Sequence, residues 1–251
     1  MIETRNLSKQ YGEHLVVNDI NLHIPAGGIV SIIGPNGAGK SSLLSMVSRL
    51  MPMSAGSAWV DGMDVTRTPG DALAQRLSIL RQDNHIASRL TVRDLVAFGR
   101  YPHSKGRLTA EDQAHVEQAI GYLNLQAFAE RFLDELSGGQ RQRAFLAMVL
   151  CQDTDYVLLD EPLNNLDMPH AVTMMRQLRH AADTLNKTVV TVLHDINFAS
   201  SYSDHIIAMR EGRVVAQGTP EEIIQPDVLQ SIYGMDIAVH NIRGKQIAVY
   251  Y

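Results

Sequence analysis

The octapeptide Gly34-Pro35-Asn36-Gly37-Ala38-Gly39-Lys40-Ser41 constrains this chain more than any other stretch. It follows the apolar run Gly28–Ile33, which reads as a buried parallel strand. It precedes helix-like spacing from Lys40 to Leu50 that Pro52 stops. A strand that runs through glycines straight into a helix is a strand–loop–helix unit of an α/β sheet. The glycines let the backbone curl so that several N–H groups point inward, and the following helix presents its positive end to the same place. Such a cradle suits phosphate. Lys40 is placed to neutralise β- and γ-phosphates, and the Ser41 hydroxyl, with Ser42 beside it, to reach Mg²⁺. By average composition a chance match in a chain this long has odds of about one in a hundred.

A second apolar strand, Tyr156-Val157-Leu158-Leu159-Asp160-Glu161, ends in two acids. Asp160 falls at the carboxyl end of the strand, where open α/β sheets bind their ligands, and is the candidate metal carboxylate opposite Ser41. Strand alternation turns Glu161 the other way, where it can polarise an attacking water.

The rest of the chain supports a single α/β unit with an insertion. Ile20, Leu22 and Ile24 share one face of a half-buried strand, and Ser57–Val65 reads as a hairpin turning at Asp61-Gly62. From about Asp83 to Leu150 the pattern is helical, with Thr109-Ala110-Glu111-Asp112 as a helix start. Strand patterns return at Tyr156–Asp160, Val189–Leu193 and His205–Met209, the last pairing with Arg213–Gln217 around Gly212. With 22 basic against 27 acidic residues the net charge is −5, so a sequence-independent nucleic-acid binder is not expected. The lone cysteine, Cys151, excludes an internal disulfide framework and reads as a core residue. The start Met1-Ile2-Glu3-Thr4-Arg5 is unlike a secretion signal, and no apolar run approaches the roughly 18–20 residues that span a bilayer. The expectation is a cytosolic protein whose membrane work, if any, needs a spanning partner.

Leu136-Ser137-Gly138-Gly139-Gln140 narrows the field. Ser137 is a natural N-cap, Gln140-Arg141-Gln142-Arg143 begins a helix, and glycine N–H groups there make a second anion site. With Asp160-Glu161-Pro162 downstream, the chain resembles the ABC-family ATPases over essentially its whole length. The resemblance implies an α/β P-loop NTPase (RecA-like) core with an N-terminal antiparallel β subdomain and an inserted helical subdomain. Residues 1–82 and 151–221 would form the core and β subdomain, 83–150 the helical subdomain, and 222–251 a short C-terminal extension. It implies ATP and Mg²⁺ as ligands and a head-to-tail homodimer on ATP binding. In that dimer Ser137, Gly138, Gly139 and Gln140 close over the partner's nucleotide, and Asp167 touches the partner.

Residue by residue, Tyr11 matches an aromatic that stacks on adenine, and Gln82 a glutamine that senses Mg²⁺ and water between the lobes. His194 matches a histidine that holds γ-phosphate and water in line. Lys40, Gln82, Glu161 and His194 are thus the catalytic candidates; Ser41, Gln82 and Asp160 are the metal candidates. The nucleotide candidates are Tyr11, the loop from Gly34 to Ser42, Ser137–Gln140 and Asp167. The family more often has a small residue near Asn165.

Phe98-Gly99-Arg100-Tyr101-Pro102-His103 is similar to the segment found in ATPases of iron–siderophore, haem and vitamin B12 importers. Ala147–Leu150, Gln152–Thr154, Asp160–Asp167 and the tail Pro226–Tyr251 resemble the iron–siderophore branch. The implied partners are membrane-spanning permease subunits and, through them, a substrate-binding protein, at the cytoplasmic face of the inner membrane. Arg89, Arg93, Arg100 and His103 are candidates to cradle a cytoplasmic helix of the permease. The alternatives are a haem or vitamin B12 importer ATPase, or a soluble ABC regulator. An exporter half would usually carry membrane helices, a repair ATPase a long heptad insertion, a translation factor two cassettes, and a small-molecule kinase an acceptor pocket.

Overall fold

Two long strands begin the chain, and neither alternates cleanly. β1 (Ile2–Tyr11) buries Ile2 and Leu7, and β2 (His14–Ile24) buries Val17, Ile20, Leu22 and Ile24. Between these buried sets Asn6 and Asp19 take positive φ, of 49° and 55°, the register shifts, and Asn6 Nδ2 donates to Asp19 Oδ1 at 2.8 Å. A bulge on each strand re-aims the apolar side chains toward one face. The computed structural model describes residues 1–84, 86, 88–164 and 166–250. Positions 85 and 87, Asn165 and Tyr251, which figure in the sequence expectations above, lie outside the described residues.

β3 (Gly28–Ile33) follows, then α1 (Lys40–Val47), then β4 (Ala55–Val60) and β5 (Met63–Asp64), joined by Asp61-Gly62 with both φ positive, as the expected hairpin requires. The helix expected to reach Leu50 ends at Val47. Arg49 takes φ 62°, with Arg49 N–H donating to Met46 O and Leu50 N–H to Ser45 O. That is a Schellman stop with arginine where glycine is usual. Next come α2 (Gly70–Ala74) and β6 (Leu77–Leu80), neither anticipated from the sequence.

The helical insertion comprises α3 (Val92–Phe98), α4 (Tyr101–Ser104), α5 (Ala110–Tyr122) and α6 (Gly138–Cys151). Thr91, Thr109 and Ser137 start α3, α5 and α6, each closing a reciprocal capping box with the residue three positions on. α6 therefore begins at Gly138, ahead of the expected Gln140. The fully packed Arg100 guanidinium binds the Asp112 carboxylate at 2.9 Å and donates to Cys151 O at 3.0 Å, tying α4, α5 and α6 together. This corrects the expectation that Arg100 lies on a surface cradle. The other cations of that set are also engaged: Arg93 by Glu117 and Glu130, Arg89 by Asp134 and the Phe132 ring, and His103 by Gln152 O. Phe98 and Tyr101 remain exposed there.

The core resumes with β7 (Tyr156–Asp160), α7 (Met168–Thr184), β8 (Thr188–Val192), α8 (Ile196–Tyr202), β9 (His205–Arg210) and β10 (Arg213–Gly218). α9 (Pro220–Ile223), α10 (Pro226–Tyr233) and the hairpin β11 (Ala238–Ile242)–β12 (Lys245–Val249) close the chain. Among the described residues the main sheet has the order β10-β9-β3-β8-β7-β6, parallel from β9 to β6 with β10 antiparallel at its edge. The first sheet is antiparallel, β2-β1-β4-β5. The largely apolar β3, β7 and β8 are buried on both faces, as parallel strands demand. Alternate residues serve two cores. Val30, Ile32, Leu158 and Val190 pack with α1 and the antiparallel sheet, while Ile29, Ile33, Leu159 and Val189 pack with α7, α8 and the helical insertion.

Candidate active site

Gly34 leaves β3 with φ 141°, and a Cβ there would lie 2.0 Å from Met209 O. Gly39, at the head of α1 with φ 95°, would put a Cβ 2.6 Å from Val16 O. These two glycines are required by close approach and left-handed backbone together. No side chain caps α1, so its first N–H groups are left to a ligand.

Lys40 begins that helix and is buried. Its Nζ donates to Gly34 O at 2.8 Å and Pro35 O at 2.9 Å, and among the described residues no carboxylate stands within ion-pair distance of it. Burial lowers its pKa, opposed by the charges of Glu161 and Asp160. Ser41 Oγ donates to Asp160 Oδ1 at 2.8 Å across the β3–β7 gap. Burial raises the Asp160 pKa, with the Ser41 hydrogen bond working against it.

Glu161 departs from simple strand alternation. Its φ is 52°, a left-handed turn immediately after β7. Its carboxylate, a tenth exposed, is held from three sides. Gln82 Nε2 donates to Oε2 at 2.8 Å, Asn164 Nδ2 to the same oxygen at 2.5 Å, and His194 Nε2 meets Oε1 at 2.6 Å. Gln82 thus reaches Glu161 and is not hydrogen-bonded to Ser41 or Asp160. Asn164 was not foreseen as a partner; its position in the turn closed by Asn164 N–H to Glu161 O is the only local signal.

A cavity of about 340 Å³ opens over these groups, lined by Val16, Asn36 to Ser42, Gln82, Glu161 and His194. Tyr11 stands off this lining, half-exposed, its hydroxyl on Met51 Sδ at 3.1 Å and Lys9 Nζ 4.8 Å from its ring centre. Ser137, Gly138, Gly139 and Gln140 also lie outside it, at the start of α6. A Cβ on Gly139 would come 3.4 Å from Leu166 and 3.5 Å from the His170 ring. Asp167 caps α7 by accepting from His170 N–H at 3.1 Å and pairs with the same residue's ring, which holds its carboxyl below the usual range. Gln142 Nε2 donates to Pro162 O at 3.1 Å, so the α6 segment touches the loop that carries Glu161.

The donor set fits a nucleoside triphosphate and a hard divalent cation. A buried ammonium without a counter-ion, uncapped helix N–H groups and an anion-compatible glycine loop await phosphate, and a hydroxyl–carboxylate oxygen pair suits magnesium. These features on a parallel sheet define a P-loop nucleotide hydrolase. The ABC transporter family profile matches residues 17–164. The chain is 52% identical over 251 residues, the full length of both, to the petrobactin import ATP-binding protein YclP of Bacillus subtilis (strain 168). It is 41% identical over 231 residues to the ferric enterobactin transport ATP-binding protein FepC of Escherichia coli (strain K12), covering 91% of this chain and 85% of that one. The fold superposes with TM-score 0.78 on the ADP- and Pi-bound dimeric cassette MJ0796, at 27% identity over 88% of this chain and 99% of that one. The chain belongs to the ABC transporter family, as an ATP-binding, ATP-hydrolysing subunit.

Proposed function

We propose that this ATPase powers import of ferric siderophores, working as an ATP-closed homodimer docked on membrane-spanning permease subunits. The carrying observation is full-length similarity to a protein named for petrobactin import, at 52% identity. Among the described residues no helix is long and apolar enough to cross a membrane. The chain would sit peripherally at the cytoplasmic face, with Phe98 and Tyr101 offering apolar surface to the permease.

Lys40 and the loop N–H groups bind the β- and γ-phosphates, and Tyr11 stacks on the adenine. Ser41 and Asp160, with Gln82 nearby, would hold Mg²⁺, which supplies charge neutralisation at the phosphates. Glu161 accepts the proton of the attacking water, a contribution of typically ~10²–10⁴-fold for a general base. Gln82 and Asn164 fix the carboxylate's rotamer, and His194 aligns water and γ-phosphate. Ser137, Gly138, Gly139 and Gln140 of one copy close over the nucleotide held by the other, and Asp167 meets the partner nearby. Closure swings the helical insertions inward and levers the permease; loss of γ-phosphate reopens the dimer.

The test is iron uptake in cells lacking this gene and any second importer, offered ferric siderophores, haem or vitamin B12. The native chain should restore uptake of a ferric siderophore and Glu161→Gln should not. Restoration of haem or vitamin B12 uptake alone would overturn the siderophore assignment.

A further inference from the structure

Tyr11 closes β1 beside the turn at Gly12, and its ring is half-exposed. An aromatic side chain at a strand end swings freely unless something holds it, and two groups hold this one. The Lys9 ammonium, two residues back on the strand, stands over the ring at 4.8 Å from its centre. The phenol donates to Met51 Sδ at 3.1 Å, at the opposite end of the side chain from the backbone. Lys9 is itself buried, which is unusual for a lysine. Its Nζ donates to Pro52 O at 2.8 Å, and among the described residues no carboxylate stands within ion-pair distance of it. With no counter-ion beside it, the charge of the ammonium is left to act on the face of the ring.

Both restraints lead to the same segment. Met51 and Pro52 follow α1, and Met51 N–H donates to Ser45 O at 3.0 Å, which anchors the segment to that helix. The segment is then stitched along β1: Ser54 N–H donates to Ser8 O at 2.9 Å, and Gln10 N–H to Ser54 Oγ at 3.0 Å. α1 is the helix that begins at Lys40, with the phosphate loop at its head. The Tyr11 ring is therefore tied, through Lys9 and Met51, to the tail of the helix whose head faces phosphate. These contacts, and not the strand end alone, set the ring against the phosphate cradle.

We propose that Lys9 is a positioning residue for nucleotide binding: its ammonium, pinned on Pro52 O, holds the Tyr11 ring in the orientation that stacks on the base, with Met51 fixing the hydroxyl. The inference rests on the reading of Tyr11 as the adenine platform and extends it to the residues behind the ring. Lys9 acts through Tyr11 and on no phosphate group. It should govern affinity for a ligand that carries a base and leave the rate of hydrolysis alone.

The experiment compares the full chain with Lys9→Met, Lys9→Gln, Lys9→Arg, Tyr11→Ala and the double variant of Lys9→Met with Tyr11→Ala. Each is titrated calorimetrically, with Mg²⁺, against ATP and against inorganic tripolyphosphate, which has phosphates and no base. Steady-state hydrolysis and thermal midpoint are measured beside them. Tyr11→Ala should weaken ATP binding at least about fivefold, as loss of a stacking aromatic does. Lys9→Met and Lys9→Gln should weaken it at least about threefold, and Lys9→Arg, which keeps a cation over the ring, should stay within about twofold of native. Tripolyphosphate affinity should hold within about twofold throughout and kcat should be unchanged, so that the loss appears in KM alone. The double variant should bind ATP no more weakly than Tyr11→Ala, because Lys9 has nothing to act on once the ring is gone. Native ATP affinity in both Lys9→Met and Lys9→Gln, an equal loss for tripolyphosphate, or multiplying losses in the double variant would each overturn the role of Lys9. Native ATP affinity in Tyr11→Ala would instead overturn the platform itself, and the inference with it.

Discussion

In the proposed mechanism Glu161 carries the chemistry, and three side chains from three segments, Gln82, Asn164 and His194, converge on its carboxylate. Glu161→Gln preserves the shape and removes the base, so turnover should fall by about 10²–10⁴-fold while fluorescent-ATP affinity stays near native. A variant that hydrolyses ATP at the native rate would contradict the assignment. Lys40→Ala removes a buried ammonium that, among the described residues, no carboxylate meets within ion-pair distance, and titration should show nucleotide affinity at least tenfold weaker, roughly 1.5–3 kcal/mol for a charged hydrogen bond. The sequence singled out the Gly34–Ser41 loop and the Asp160-Glu161 pair by residue types that suit phosphate and metal, and the structure brings these segments together. The direction of Glu161 was not legible, since a left-handed φ of 52° breaks strand alternation. Nor was the role of Asn164, because one asparagine in a turn has many local uses.

Elements were legible where a cap or a continuous apolar run announced them. Thr109 and Ser137 begin their helices, and β7 runs from Tyr156 to Asp160 as read from the sequence. The Arg49 stop was hidden because glycine is the usual residue at that conformation. β11 was hidden because its side chains are mostly exposed, and the hairpin is held through backbone groups instead: Asn197 pairs with Ala248, and Ser200 with Gln246 O.

The Arg100–Asp112 pair gives the helical insertion a pH signature. Asp112 is lowered from 3.8 to about 2, first by the Thr109 backbone N–H and then by the Arg100 guanidinium, against burial. A depressed carboxyl stabilises above its unfolded pKa and loses that contribution as pH falls through the folded one. Native stability should therefore drop between pH 4 and 2, and Asp112→Asn should lack this component. At pH 7 the same variant leaves Arg100 buried and unpaired, costing roughly 3–5 kcal/mol in urea unfolding. Native-like stability at pH 7 would show that the pair does not hold the helices.

At the scale of the molecule, the proposed function makes one copy half a site. The cavity beside Lys40 is open, and Ser137–Gln140 lie outside its lining, at the head of a different helix. A solved relative of the same fold is described as a dimer bound to ADP and Pi. The account requires that the second copy supply the missing wall. The most direct measurement is sedimentation of Glu161→Gln with and without Mg²⁺ and ATP, beside a variant that adds Ser137→Arg. Glu161→Gln should be a monomer without nucleotide and a dimer with it. Adding Ser137→Arg should abolish the dimer while each monomer still binds ATP within about twofold, since in the proposed dimer Ser137 faces only the partner's nucleotide. A dimer that survives Ser137→Arg, or an ATP-saturated Glu161→Gln that stays monomeric, would contradict the shared site.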